Sequence, residues 1–201
     1  MAIDKKQKGD PAPMGTAAAA RRISSYMIKG SVRKAAHLAA SDEGSRAWPL
    51  LIAPQLPVIA FSYGLVNFFG SQKPGVTPVG SMLRGLISSV EIFALLFLVL
   101  RLLTVIIRCG IDSRGVLSLI GTAAFPMTVC MAAAAASCKL LPLMAEPLIM
   151  TGALLSAIMV YMGVEYASIT RRVRSFAWFS VLLLLLVTVA TILAKQMQYH
   201  V

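Results

Sequence analysis

Residues 83–107, LRGLISSVEIFALLFLVLRLLTVII, form an unbroken apolar run except for Arg84, Glu91 and Arg101. A bilayer core is crossed by about 20 apolar residues of helix, so a run this long limits the chain to a membrane-spanning helix or a helix buried on every side. Composition favours the first. The chain is 58% hydrophobic and 13% charged, about half the charged fraction of an ordinary soluble domain. Four further segments are long and apolar enough to span: 49–69, 116–137, 148–167 and 176–194. The expected architecture is an all-α membrane protein, a bundle of about five transmembrane helices preceded by a basic amphipathic arm. The stretch 138–147, CKLLPLMAEP, reads as a tight turn because Pro142 and Pro147 oppose continuous helix. Pro126 falls inside the third span and is expected to kink it.

The cations set an orientation. Fourteen of the 19 Lys and Arg fall in the arm 1–48, the 108–115 loop and the 168–175 loop, against Lys73, Arg84, Lys139 and Lys195 on the other side. The positive-inside rule then places the N-terminus in the cytoplasm and, with five spans, the 195–201 tail outside. The first 48 residues hold no apolar h-region of a cleavable signal peptide, so targeting is expected to rely on the first span, and a bacterial inner membrane is the expected location.

Within the arm, 1–16 is polar and rich in Pro and Gly, and is expected to be disordered. Residues 17–40 read as one amphipathic helix. Arg22, Lys29 and Arg33 share a face, and Met27, Ile28, Ala35, Leu38 and Ala39 lie opposite. Such a helix suits an anionic inner leaflet, with Arg108, Arg171, Arg172 and Arg174 as further headgroup contacts. A solvated arm that merely fixes orientation explains the same charges. Nucleic acid is disfavoured as the partner of the +11 net charge, because the arm offers no aromatic platform and topology already accounts for the cations.

Charge inside a span is costly, so Glu91 and Arg101 call for a reason. Arg101 lies seven residues, about 10 Å, before Arg108, close enough to snorkel toward the cytoplasmic headgroups. Glu91 is too short to escape. Arg101 is not its direct partner, being about 15 Å along the axis and about 80° around it. The carboxylate is expected to face an inter-helix cavity, to be protonated, or to pair with another span or subunit. A packing role and a proton or cation site both remain open. Gly152 with Ser156 and Gly163 with Ala167 are small-residue pairs that permit close helix approach. Glu165 is expected to pair locally with the 171–174 arginines.

Catalysis finds no foothold. There is no GxxxxGK[ST] phosphate loop, HExxH zinc pair or GxSxG elbow, and His37 and His200 lie near no nucleophile. Cys109, Cys130 and Cys138 have no metal-ligand spacing and read as small apolar residues. No catalytic residue, cofactor or metal is expected. Two function classes remain. One is a non-catalytic bundle that organises the membrane or serves as a small subunit of a larger membrane complex, with a membrane-protein partner or a second copy. The other is a transporter or holin-like pore using Glu91.

RLLTVIIRCGIDSRGVLSLIGTAAFPMTVCM (101–131) carries Arg108, Gly110, Arg114, Gly115 and Pro126 in a span, short basic Gly-containing loop, and small-residue span with proline. In this segment, and in its layout from about 49 to 194, the chain resembles the Yip-domain family of Rab-GTPase-interacting membrane proteins and their bacterial relatives. The arm has no DLYGP-like stretch. The resemblance implies a five-span scaffold or membrane organiser, and carries over no catalytic residue.

Overall fold

The computed structural model describes residues 15–70, 77–106, 109–137 and 141–167, together with Ser180. Every regular element among them is helical: α1 (Thr16–Ile28), α2 (Val32–Ala40), α3 (Trp48–Ile52), α4 (Gln55–Gly70), α5 (Pro78–Ile106), α6 (Ser113–Ser137) and α7 (Ala145–Ala167), with short 3₁₀ turns at Ser45–Ala47 and Pro142–Met144. Four stretches, Ser45–Val66, Pro78–Ile106, Ser113–Ser137 and Ala145–Ala167, are 22, 29, 25 and 23 residues long and apolar enough to cross a membrane. They fit a multi-pass membrane protein. The fifth expected span at 176–194, the 168–175 loop, the tail 195–201 and residues 1–14 lie outside the described residues.

The helices begin earlier than the apolar runs do, because polar caps extend them. Thr77 Oγ1 accepts the Gly80 N–H at 3.2 Å and starts α5 at Pro78. Asp112 Oδ1 accepts the Gly115 N–H at 2.6 Å and starts α6 at Ser113. Each side chain satisfies a donor that has no partner in a helix's first turn. The expected turn at 138–147 shortens for a related reason. Pro147 falls in the first turn of α7, where a missing N–H costs nothing.

Two expected helices are each divided. The stretch 17–40 is not one helix but α1 and α2, separated at Lys29–Ser31. Gly30 has φ +70°, Ser31 N–H donates to Tyr26 O at 2.8 Å, and Gly30 N–H donates to Met27 O at 3.0 Å. That pair of bonds is a Schellman C-cap, which glycine enters without a Cβ clash. The first span likewise breaks into α3 and α4 at Ala53–Pro54, where Pro54 and Pro57 supply no N–H to the carbonyls of Leu50 and Ala53.

Helix α4 packs along α5, and α6 along α7, while α3 and α4 also lean on α6. Small residues set the approach. A Cβ at Gly152 would meet Met127 and Cys130 of α6, one at Gly163 would run into Leu119, and one at Gly85 would lie 2.7 Å from Ala60 O of α4. The arm folds back on the bundle. Helix α2 packs on α6 and α7, and α1 on α2 and α3. Ala36 and Ala40 join Leu100, Leu103, Val116, Leu119 and Val164 in one apolar cluster. Ala19, Ala20 and Ile23 join Ala35, Ala39, Ala47 and Leu51 in a second. The alanines of the arm and Ile23 are therefore packed against protein, whereas Ile28 of the expected apolar face is exposed.

Gly163→Val is expected to lower the unfolding midpoint in detergent by an overpacking penalty of about 1–3 kcal/mol. Gly110→Ala, at a site with open space around it, should stay within about 0.5 kcal/mol of the parent.

Candidate functional site

The most elaborate polar constellation inside the bundle centres on Gln55, a residue that sequence reasoning passed over. It opens α4 directly after the helix break and is 7% exposed. Its Nε2 donates to Leu51 O and to Gly121 O, both at 2.7 Å. Leu51 is in the last turn of α3, where carbonyls lack helical donors. Gly121 lies one turn before Pro126, and α6 continues through that proline. Thr128 Oγ1 lies 3.0 Å from Gln55 Oε1 and 2.9 Å from Ala124 O. Both amide donors and the amide oxygen are engaged, so the group ties three helices together and leaves no donor to spare. The available signal was a lone amide among three prolines in an apolar segment. A second polar tie lies nearer the arm, where Ser118 Oγ donates to Gly44 O at 2.9 Å.

Arg101 is half-buried, and its Nη1 donates to Ile111 O at 3.1 Å. The side chain reaches toward the C-terminal end of α5, the direction expected for snorkelling, and ends on the backbone of the turn into α6. Arg108, the other half of the expected basic stripe, lies outside the described residues, as do Arg171, Arg172 and Arg174.

Glu91 stands exposed on α5. Among the described residues no hydrogen bond or ion pair engages it. With Ile87, Ala94, Leu98, Leu102 and Val105, all exposed, it makes a stripe at three- and four-residue spacing that continues up to Arg84. Two open clefts of about 550 and 540 Å³ lie at the arm, and neither is lined by Glu91 or Arg101.

The basic residues of the arm divide between two clefts. Arg22 Nε donates to Tyr26 Oη at 3.2 Å and its guanidinium stands 5.9 Å from that ring. Arg22 lines one cleft with Lys34, His37, Asp42 and Glu43, whereas Lys29 lines the other. Arg33 is exposed on α2. His37 stacks on Tyr166 of α7, ring centroids 4.1 Å apart and planes 17° apart. Burial pushes the His37 imidazole below its usual range and Arg33 adds to that, while Glu165 of α7 pulls the other way. Cys109 Sγ contacts Val164 O at 3.7 Å, and burial raises its thiol pKa. Cys109 and Cys130 are free thiols. No group of three potential metal ligands occurs among the described residues.

Comparison with protein-family models, characterised proteins and solved structures finds no match to this chain.

Two outcomes follow from this geometry. Hydrogen bonds between membrane helices contribute about 0.6 kcal/mol on average and about 1.7 at most. A double-mutant cycle on Gln55→Leu and Thr128→Val should therefore show coupling in that range, with Gln55→Leu the costlier single change because two carbonyls lose a donor. For His37, the folded chain binds fewer protons at the imidazole than the unfolded chain does. Stability is therefore fully present above about pH 6.5 and falls as the pH drops below it. Melting at pH 7.5 and 5.5 should reveal this loss, and His37→Phe, which keeps the stack but cannot take a proton, should reduce it.

Proposed function

We propose that this chain works by association: a non-catalytic, multi-pass membrane protein that organises the membrane or serves as a small subunit of a larger membrane complex. The observation that carries the proposal is Glu91, an exposed carboxylate in an otherwise aliphatic stripe of α5. Left in lipid, an unpaired carboxylate costs about 2.5–3.5 kcal/mol at the helix centre. A partner helix that brings a hydrogen-bond donor to that depth removes the penalty. The three- and four-residue spacing of Ile87, Glu91, Ala94, Leu98 and Leu102 lines them along one helix face that a partner helix can cover. In this proposal the arm and the α5–α6 turn face the cytoplasm of a bacterial inner membrane, as the cation count favours. The likeness of 101–131 to Yip-domain proteins points toward the same scaffolding role.

Affinity purification of the tagged chain in mild detergent, followed by native mass measurement, tests this proposal. A stoichiometric partner or homo-oligomer is expected. Glu91→Leu should weaken it about 5- to 10-fold, equivalent to roughly 1–1.4 kcal/mol, and Glu91→Gln should retain it because the amide still hydrogen-bonds. A lone monomer in every sample would overturn the proposal. The pore alternative makes the opposite demand on the same variant. It requires pH-dependent flux through proteoliposomes that Glu91→Gln abolishes.

A further inference from the structure

The cleft that holds Arg21 and Lys29 runs between α1 and the start of the first span. Its α1 wall is Arg21, Ser24, Ser25 and Ile28, extended by Lys29 just past the helix end, and Leu50 of α3 closes the opposite side. The floor is held by Ala19, Ala20 and Ile23 packed on Ala47 and Leu51. The cleft is thus formed by the docking of the arm on the first span. Three properties of it converge. First, two cations line it and no carboxylate does. Among the described residues no ion pair or side-chain hydrogen bond occupies Arg21 or Lys29. Second, its two hydroxyls, Ser24 and Ser25, lie in the same wall as the cations, a donor set suited to phosphate oxygens. Third, it opens onto an exposed apolar surface. Ile28 is 79% and Leu50 51% exposed, and Leu50 leads into the exposed stripe Pro54, Val58 and Phe61 along the first span.

We infer that this groove is a binding site for an anionic phospholipid. The phosphate rests between Arg21, Lys29 and the two serine hydroxyls, and an acyl chain lies along Ile28, Leu50, Val58 and Phe61. The placement of the groove beside Leu50, near the start of the Ser45–Val66 stretch, sets it at headgroup depth. A free phosphate satisfies the cations but leaves the apolar half of the groove unused. Nucleic acid leaves it unused as well. The inference rests on the membrane reading of the four long helices. It differs from a general attraction of the basic arm to the leaflet, because it singles out Arg21 and Lys29 from the remaining cations.

The test uses the full chain purified in mild detergent, with bound lipid counted by native mass spectrometry against phosphatidylglycerol or phosphatidylcholine. Phosphatidylglycerol should be retained preferentially. Arg21→Gln with Lys29→Gln should weaken its retention by about 25-fold, from roughly fivefold for each cation near a headgroup. The control pair Arg33→Gln with Arg114→Gln removes the same charge elsewhere and should change retention less than twofold. Ser24→Phe fills the groove at constant charge and should also displace the lipid. Equal loss in the control pair, equal retention of the two lipids, or undiminished binding in Ser24→Phe would each overturn the site. Displacement by millimolar inorganic phosphate would reassign it to a free anion. Labelling of Gly15→Cys from either side of sealed vesicles reads orientation separately. A site intact in detergent but labelled from outside would discard the inner-leaflet topology and keep the groove.

Discussion

A buried amide has no water to turn to inside a bilayer, and the packing of this bundle gives Gln55 its partners within the protein. Pro54, Pro57 and Pro126 each remove an N–H from a helix that is long and apolar enough to span. A single amide beside them, Gln55, reaches both the end of α3 and the α6 turn before Pro126, and Thr128 completes it. Those prolines deprive Leu50, Ala53 and Thr122 O of a helical donor, whereas Gln55 meets Leu51 O and Gly121 O, so the clasp joins the two interrupted helices without replacing the lost bonds. The clasp also sets how close α3 and α4 come to α6. A Cβ at Gly121 would stand 2.9 Å from Leu51 and Ile52, so the amide bond and the glycine contact require each other.

The arm obeys the same logic at the end of the bundle. Its alanine-rich faces are too small to bury much area in lipid, yet small enough to lie flat on α6 and α7, where Ala36 and Ala40 join the main apolar cluster. Docking turns the arm into a cap whose cations divide between two clefts, Arg22 with Lys34 in one and Arg21 with Lys29 in the other. Arg101 is tied to the turn at Ile111. Glu91, by contrast, is directed away from the core that α5 shares with α4 and α6. The inward face of α5 is small and weakly polar in its N-terminal half, Ser81, Gly85, Ser88 and Ser89, and turns apolar at Val99, Leu100 and Leu103. Ser89 Oγ donates to Gly85 O at 2.6 Å and so returns its bond to its own helix.

Helix content and the four long apolar stretches were legible because they are local properties: an apolar run of the right length has few other fates. Boundaries were less so. Thr77 and Asp112 carried readable cap signals, and Gly30 carried a readable stop, but the apolar pattern alone placed the starts of α5 and α6 later and ran one helix through 17–40. Gln55 was invisible as a site, since its partners Gly121 and Thr128 lie 66 and 73 residues away. His37 against Tyr166 was hidden for the same reason.

The sequence by itself determined the helical class, the candidate membrane segments and the asymmetry of positive charge, because each depends only on summed hydropathy and on residue counts along the chain. Tertiary structure decided which polar groups meet. It placed the arm against protein, spent Arg101 on a turn, closed the Gln55 clasp and left Glu91 outward. These outcomes depend on helix rotation, and rotation is set by where glycines and alanines let two backbones touch, which no single helix specifies alone.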